Sequence, residues 1–390
     1  MPSYLAGRDD VIISARNNMA ALIQRYPQQS VIYYGLRGVG KTVLLNGIEE
    51  IADELNVLYE HIEIKEKGEF VTQIASAAVK FSRQISLKEK AYGLALRAYE
   101  AIKSVGVTFN PQNGTFSAEI TSKEEPFLAT MTLSDGLTDA FIALGNAAIK
   151  SEDTIFFFID EIQYLKKNEL EALINAIHRI NQKRLPIMIF GAGLPKVFKE
   201  LGDAKSYSER LFKFEKIDAL SDEAAKQAII RPAQNMEVEY NQDAVRRIIE
   251  VTKGYPYFIQ EFCNIIWDQT DDATIKIQDV YDSEKLFFKK LDEGFFKVRY
   301  ERCTNGEKKF MYAMVKCGKL PCNITNVAHA MGVGNTSQIS PTRAQLINKG
   351  LVYSTGYAEL DFTVPEFDKY LLRVMPAEGL EIETGGFSDN

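Results

Sequence analysis

Gly35-Leu36-Arg37-Gly38-Val39-Gly40-Lys41-Thr42 is the stretch from which the rest of this chain is read. The eight residues fit G-x-x-x-x-G-K-[ST], and they stand between the two elements that pattern needs. Val31-Ile32-Tyr33-Tyr34 before them is a short β-branched and aromatic run, which predicts a buried strand. After them Leu44, Leu45, Ile48, Ile51, Ala52 and Leu55 recur at helical spacing and predict a helix over 43–55. Glycines between strand and helix let the backbone fold into a nest of inward N–H groups, and the helix N-terminus adds partial positive charge. Lys41 is then placed for β and γ phosphates, and the Thr42 hydroxyl for Mg²⁺. The expectation is a nucleoside triphosphate site built from Gly35, Gly38, Val39, Gly40, Lys41 and Thr42. A fortuitous match in a glycine-containing loop would not require strand, loop and helix in this order.

A chain of 390 residues can bury two or three separate cores. Its 46% apolar and 25% charged residues are ordinary for a soluble globular protein. No stretch reaches the apolar length of a membrane span, and Met1-Pro2-Ser3-Tyr4 does not read as the start of a signal peptide. Cys263, Cys303, Cys317 and Cys322 show no paired metal-ligand spacing and are read as free thiols of a cytoplasmic protein. The net charge of −7 excludes a polycation that coats nucleic acid. Residues 301–373 nevertheless carry nine Lys/Arg against six Asp/Glu, so a mildly basic unit sits on an acidic body. Local DNA contact is compatible with that distribution and not demanded by it.

Strands and helices alternate up to about residue 217, the signature of an α/β fold with a parallel sheet. Strands are expected at 57–64, 154–159 and 186–190, and helices at 137–150 and 168–183. A polar, helix-rich insertion occupies 65–126, with a hairpin expected from 105–109 and 115–120. Residues 218–293 read as an all-helical lid, with Ser221 as an N-cap followed by Asp222 and Glu223 in the first turn. Residues 294–375 read as a winged helix-turn-helix: helices at 307–316 and 324–331, a helix to about 348 with Ser340 as N-cap and Pro341 at N1, and a hairpin from 351–353 and 359–364. Residues 376–390 form an acidic tail, expected to be mobile.

Ile155-Phe156-Phe157-Phe158-Ile159-Asp160-Glu161 is the second chemical signal. An apolar strand delivers two carboxylates at its C-terminal end, where ligands sit in open α/β sheets. Asp160 is expected to hold Mg²⁺ together with Thr42, and Glu161 to polarise an attacking water. A buried strand that ends in a helix-capping acid is the simpler alternative. The next strand ends in Gly191-Ala192-Gly193, which offers no polar side chain where many P-loop ATPases place one near the γ-phosphate. Arg210, just before a short apolar strand, reads either as an arginine finger for a neighbouring copy in a nucleotide-dependent homo-oligomer or as a surface ion-pair residue. Gly254-Tyr255-Pro256 makes a stiff helix entry, with Pro256 either against a nucleotide or in a structural turn. Gly7-Arg8-Asp9 likewise places Arg8 beside an adenine or at the anchor of the first helix. On the helix starting near 340, Thr342, Arg343, Gln345, Asn348 and Lys349 are the solvent-side candidates. Arg343 and Gln345 suit base edges and Lys349 a phosphate. The hairpin tip at 354–357 carries no basic residue, and winged helices also dock proteins, so a DNA or a protein partner stays open.

Taken together, these motifs resemble the AAA+/STAND branch of P-loop ATPases, and within it the bacterial relatives of origin-recognition initiator ATPases. The resemblance rests on Gly7-Arg8-Asp9, Gly35 to Thr42, Phe156 to Glu161, Gly191 to Pro195, Ser208 to Phe212, Gly254-Tyr255-Pro256, Arg299 to Thr304 and Phe362 to Pro365. It implies ATP and Mg²⁺ as cofactors and an ATP-gated switch, with nucleotide bound between core and lid. It equally accommodates a sensor of low turnover that binds a protein, and a DNA-binding regulator in which ATP is structural.

Overall fold

The computed structural model describes residues 5–65, 70–86, 97–98, 100–101, 107–110, 115–118, 132–204 and 208–376. The expected tail and most of the 65–126 insertion lie outside them. The chain divides into two compact units. The first comprises Met1–Gly35, Lys41–Gly193 and Val197–Ile217; the second comprises Leu36–Gly40, Leu194–Lys196 and Asp218–Asn390.

In the first unit, β1 (Ser30–Tyr34), β2 (Leu58–Glu63), β5 (Ile155–Asp160), β6 (Ile187–Gly193) and β7 (Phe212–Lys216) form one sheet. Their order is β2-β5-β6-β1-β7, and every pairing is parallel. After α1 (Asp9–Ile23) leads into β1, parallel neighbours need crossovers, and helices supply them: α2 (Lys41–Glu54), α3 (Phe70–Ser86), α4 (Leu133–Ser151), α5 (Lys167–Gln182) and α6 (Val197–Ala204). All residues of β5 and β6 are buried, as expected of strands covered on both faces. Phe158 stacks on Phe190 at 5.5 Å and Phe157 on Phe141 of α4 at 5.1 Å, so the aromatic run of β5 fills the core on both sides of the sheet. Thr132 caps α4 through a reciprocal capping box with Asp135. Within the insertion, β3 (Val107–Asn110) pairs antiparallel with β4 (Thr115–Ala118).

The second unit holds α7 (Asp222–Gln234), α8 (Gln242–Thr252), α9 (Pro256–Gln269) and α10 (Ile277–Lys290). Ser221 is the N-cap of α7 and accepts the N–H of Ala224, as its position before two acids predicted. The expectation of an all-helical module is corrected by β8 (Glu239–Tyr240) and β9 (Thr274–Ile275), a short parallel pair that ties the two interhelical connections together. A six-residue π-helix, Leu291–Phe296, carries α10 into α11 (Lys297–Tyr300). Beyond it come α12 (Asn305–Lys316), β10 (Cys322–Asn323), α13 (Ile324–Ala330), α14 (Ser340–Asn348), β11 (Val352–Gly356), β12 (Glu359–Phe362) and α15 (Phe367–Val374). β11 and β12 form the expected hairpin, and β10 adds a third antiparallel strand that sequence periodicity is too short to reveal. The N-cap of α14 is Ile339, not Ser340. Ser340 is already helical, and its hydroxyl donates to Thr336 O at 3.0 Å. Among the described residues no helix is long and apolar enough to cross a membrane.

Candidate active site

β1 delivers the chain to Gly35, whose N–H donates to Gly193 O at the tip of β6 (3.2 Å). Gly38 and Gly40 have φ of +82° and +91°, the left-handed backbone that inward-facing amides require and that glycine adopts without strain. Lys41 and Thr42 open α2. The Lys41 ammonium donates to Gly35 O at 3.1 Å, folding back across the start of its own loop. Thr42 Oγ1 donates to Asp160 Oδ2 at 2.6 Å, a short bond of the charge-assisted kind. Asp160 Oδ1 accepts the N–H of Glu161 at 2.7 Å, so both oxygens of this buried carboxylate have fixed partners. The structure therefore brings Thr42 and Asp160 together, as their motifs predict.

Glu161 follows with φ +54°, a left-handed conformation that turns the chain out of β5. Its carboxylate accepts a hydrogen bond from the side-chain amide of Gln163. Gln163 lies in the 3₁₀ turn Ile162–Tyr164 and is only 2% exposed. No sequence pattern marks this residue; only its burial and its contact with Glu161 single it out.

The same strand end opens on a polar cleft of about 590 Å³. Asn46, Glu49 and Asp53 continue the Thr42 face of α2 at helical spacing, Tyr59, His61 and Glu63 line it from β2, and Asp160 and Glu161 stand at its inner end. His61 Nδ1 pairs with Glu49, which holds the imidazole pKa above its usual value despite partial burial, with Asp160 and Glu63 adding to the effect. The Tyr59 hydroxyl is pushed up to about 12, first by burial and then by its bond to Asp53. Of this lining, Thr42, Asp160 and Glu161 were expected from the sequence and the residues of α2 beyond Thr42 and of β2 were not. Among the described residues no cluster of three or more His, Cys, Asp or Glu has the arrangement of a metal cage.

The remaining candidates lie elsewhere. Arg210, in the short turn Ser208–Arg210 of the first unit, is exposed, and its carbonyl accepts from Gln29 at 2.8 Å. Arg8 is the N-cap of α1, where its carbonyl accepts the N–H of Ile12. In the second unit Pro256 is the first residue of α9, after Gly254 with φ +72°. Tyr257 N–H donates to Gly38 O at 3.2 Å, and the Tyr257 ring stacks on Phe295 at 4.8 Å. In α14 Gln345 and Asn348 are exposed, but two basic side chains are engaged within the unit. Arg343 donates to Ser354 Oγ at 3.0 Å, and the Lys349 ammonium meets Glu307 Oε2 at 2.6 Å and Arg302 O at 2.9 Å. Glu307, 1% exposed, is the N3 residue of the capping box that starts α12. Lys349 thus neutralises a buried carboxylate, a structural role the solvent-side reading missed.

Comparison with solved structures places this architecture. A Walker-type ATPase of Pyrococcus abyssi superposes with a TM-score of 0.58 over 94% of this chain and 96% of that one, at 12% identity. The chain shares the fold of that protein. The similarity extends to Orc1 of Aeropyrum pernix in complex with DNA (TM-score 0.47, 15% identity, 97% of this chain and 96% of that one). It also extends to the RuvB Holliday junction branch migration motor of Thermotoga maritima (TM-score 0.44, 16% identity, 94% and 95%). A family described as a domain of unknown function, DUF8462, matches residues 293–371. No curated protein sequence matches the chain.

Proposed function

We propose that this chain is an ATP-binding, Mg²⁺-dependent ATPase that acts as a nucleotide-gated switch, with residues 294–375 as a winged helix that engages DNA. The observation that carries the reading is the 2.6 Å bond between Thr42 Oγ1 and Asp160 Oδ2. A hydroxyl and a carboxylate held together at a helix N-terminus are hard oxygen donors suited to Mg²⁺, which takes few protein ligands and completes its shell from phosphates and water. Thr42 and Asp160 would hold the ion, which when bound neutralises charge on the β and γ phosphates.

In this reading Lys41 and the loop amides from Gly38 to Thr42 bind the phosphates. Glu161 orients a water and takes its proton as the water oxygen bonds to the γ-phosphorus and the bridging bond to ADP breaks. Arg210, exposed on a turn, would add positive charge to the site of a second copy. Pro256 and Arg8 are assigned to the nucleoside end by the resemblance of their motifs. Gln345, and Arg343 if it releases Ser354, would read base edges. The test of the DNA arm is duplex affinity measured across a salt series with and without ATP. Tighter binding with ATP and a steep salt slope support it, and no binding in either condition contradicts it.

A second reading has its own support. The engagement of Arg343 and Lys349 within the unit leaves α14 a less basic outer face than its sequence suggests. That favours a sensor of low turnover whose winged helix docks a protein. It predicts ATP-dependent pull-down of a protein with no salt-sensitive affinity for duplexes.

A further inference from the structure

The tip of β6 lacks the polar side chain expected there, and the structure fills the space from elsewhere. A Cβ built on Gly193 would lie 2.7 Å from Gln163 Oε1 and 2.9 Å from Ile162 Cγ2. A side chain at this position would have to displace the amide that rests against it. Gly193 O is also the acceptor that fixes Gly35, the first residue of the phosphate loop. The buried amide of Gln163 thus sits between the strand tip that anchors the loop and the carboxylate of Glu161, to which its Nε2 donates. A side chain so placed orients the carboxylate.

We propose that Gln163 is the positioning residue of the hydrolytic site: its amide supplies, from the turn after β5, the polar group that the Gly191-Ala192-Gly193 strand tip lacks, and it sets the direction of the Glu161 carboxylate. This rests on the ATPase reading above. Gln163 acts through Glu161, so its loss acts on turnover and not on the grip on ATP.

The test pairs single-turnover hydrolysis with equilibrium binding of a fluorescent ATP analogue, for the whole chain and four variants. Gln163→Ala is expected to lower the hydrolysis rate at least about tenfold with affinity within about twofold of wild type. Gln163→Glu removes the amide donor that faces Glu161 and is likewise expected to lower the hydrolysis rate at least about tenfold with affinity little changed. Gly193→Ala crowds the amide without touching Glu161 and should reproduce the Gln163→Ala rate defect, which covers the case in which Gln163→Ala folds poorly. Glu161→Gln is the control. If Glu161→Gln abolishes turnover while Gln163→Ala, Gln163→Glu and Gly193→Ala keep wild-type rates, this proposal is overturned and the ATPase reading stands. An equal loss of affinity and rate in Gln163→Ala also overturns it, in favour of a purely structural amide. Full turnover in Glu161→Gln, or none in the wild type, overturns both.

Discussion

Thr42 and Asp160 are 118 residues apart in the chain, and a 2.6 Å hydrogen bond joins Thr42 Oγ1 to Asp160 Oδ2. The first residue comes from the first turn of α2, after the loop that leaves β1, and the second from the end of β5, two strands away from β1 across the sheet. Their meeting turns two separate motifs into one site. Thr42→Ala should leave the fold intact, at a cost of about 1 kcal/mol, and remove most of the Mg²⁺ dependence of ATP binding. Calorimetric titrations in Mg²⁺ and in EDTA check this. Wild type should gain affinity at least about tenfold from Mg²⁺, and the variant little. An undiminished gain in the variant would remove Thr42 from the metal site.

Lys349 meets Glu307, a carboxylate that is 1% exposed. Burial alone would raise the pKa of Glu307, but Lys349 and the hydroxyl and N–H of Thr304 outweigh it, and the group stays below its usual value. A carboxylate with a depressed folded pKa contributes stability above its ordinary pKa and loses it as pH falls through the folded value. Lys349→Ala should therefore destabilise the chain at pH 7 by about 1–3 kcal/mol, and the deficit should shrink below pH 4. Urea denaturation at the two pH values measures it. A variant as stable as wild type at pH 7 would free Lys349 for the phosphate contact its sequence position suggests.

His61 and Glu49 give the opposite sign. The imidazole pKa is raised above 6.5, first by the Glu49 bond, then by Asp160 and Glu63, against a smaller penalty from burial. The pair's contribution is full below about pH 6.5 and is lost as pH rises through the folded value. His61→Gln should cost up to about 1 kcal/mol at pH 6 and close to nothing at pH 9. Thermal melts of both proteins across that range test this, and a deficit that grows with pH would contradict it.

Gly254 combines φ +72° with a missing Cβ that would lie 2.4 Å from Leu220 O. Leu220 N–H donates to Gly254 O at 2.8 Å, so neither backbone segment can withdraw without losing a bond. Gly254→Ala should cost at least about 2 kcal/mol and lower the melting temperature by about 5 °C. Calorimetry reads it directly, and an unchanged melting temperature would show that the turn relaxes.

What the sequence made legible follows from how each feature is encoded. The parallel sheet and its glycine-rich loop are local signals: an apolar strand, glycines at fixed offsets and a helical period, each within fifteen residues. Asp160 and Glu161 were found because a strand end is itself a local signal. Gln163 was passed over because an isolated amide carries no pattern; only the crowding at Gly193 and the contact with Glu161 give it meaning. The Lys349–Glu307 pair was missed for a related reason. Its two residues are 42 positions apart, and solvent exposure inferred from helical spacing takes no account of a buried acid on another element. Ser340 was misjudged as a cap because the preceding turn, Thr336–Gln338, already satisfies the helix entry.

The central claim is that the loop from Gly35 to Thr42 binds ATP through Lys41, with Thr42 and Asp160 holding the metal. Isothermal titration of MgATP into wild type and Lys41→Ala tests it most directly. The expected result is saturable binding by wild type and a loss of at least about a hundredfold in affinity in the variant, with both melting alike. Equal affinity in the two proteins would contradict the account.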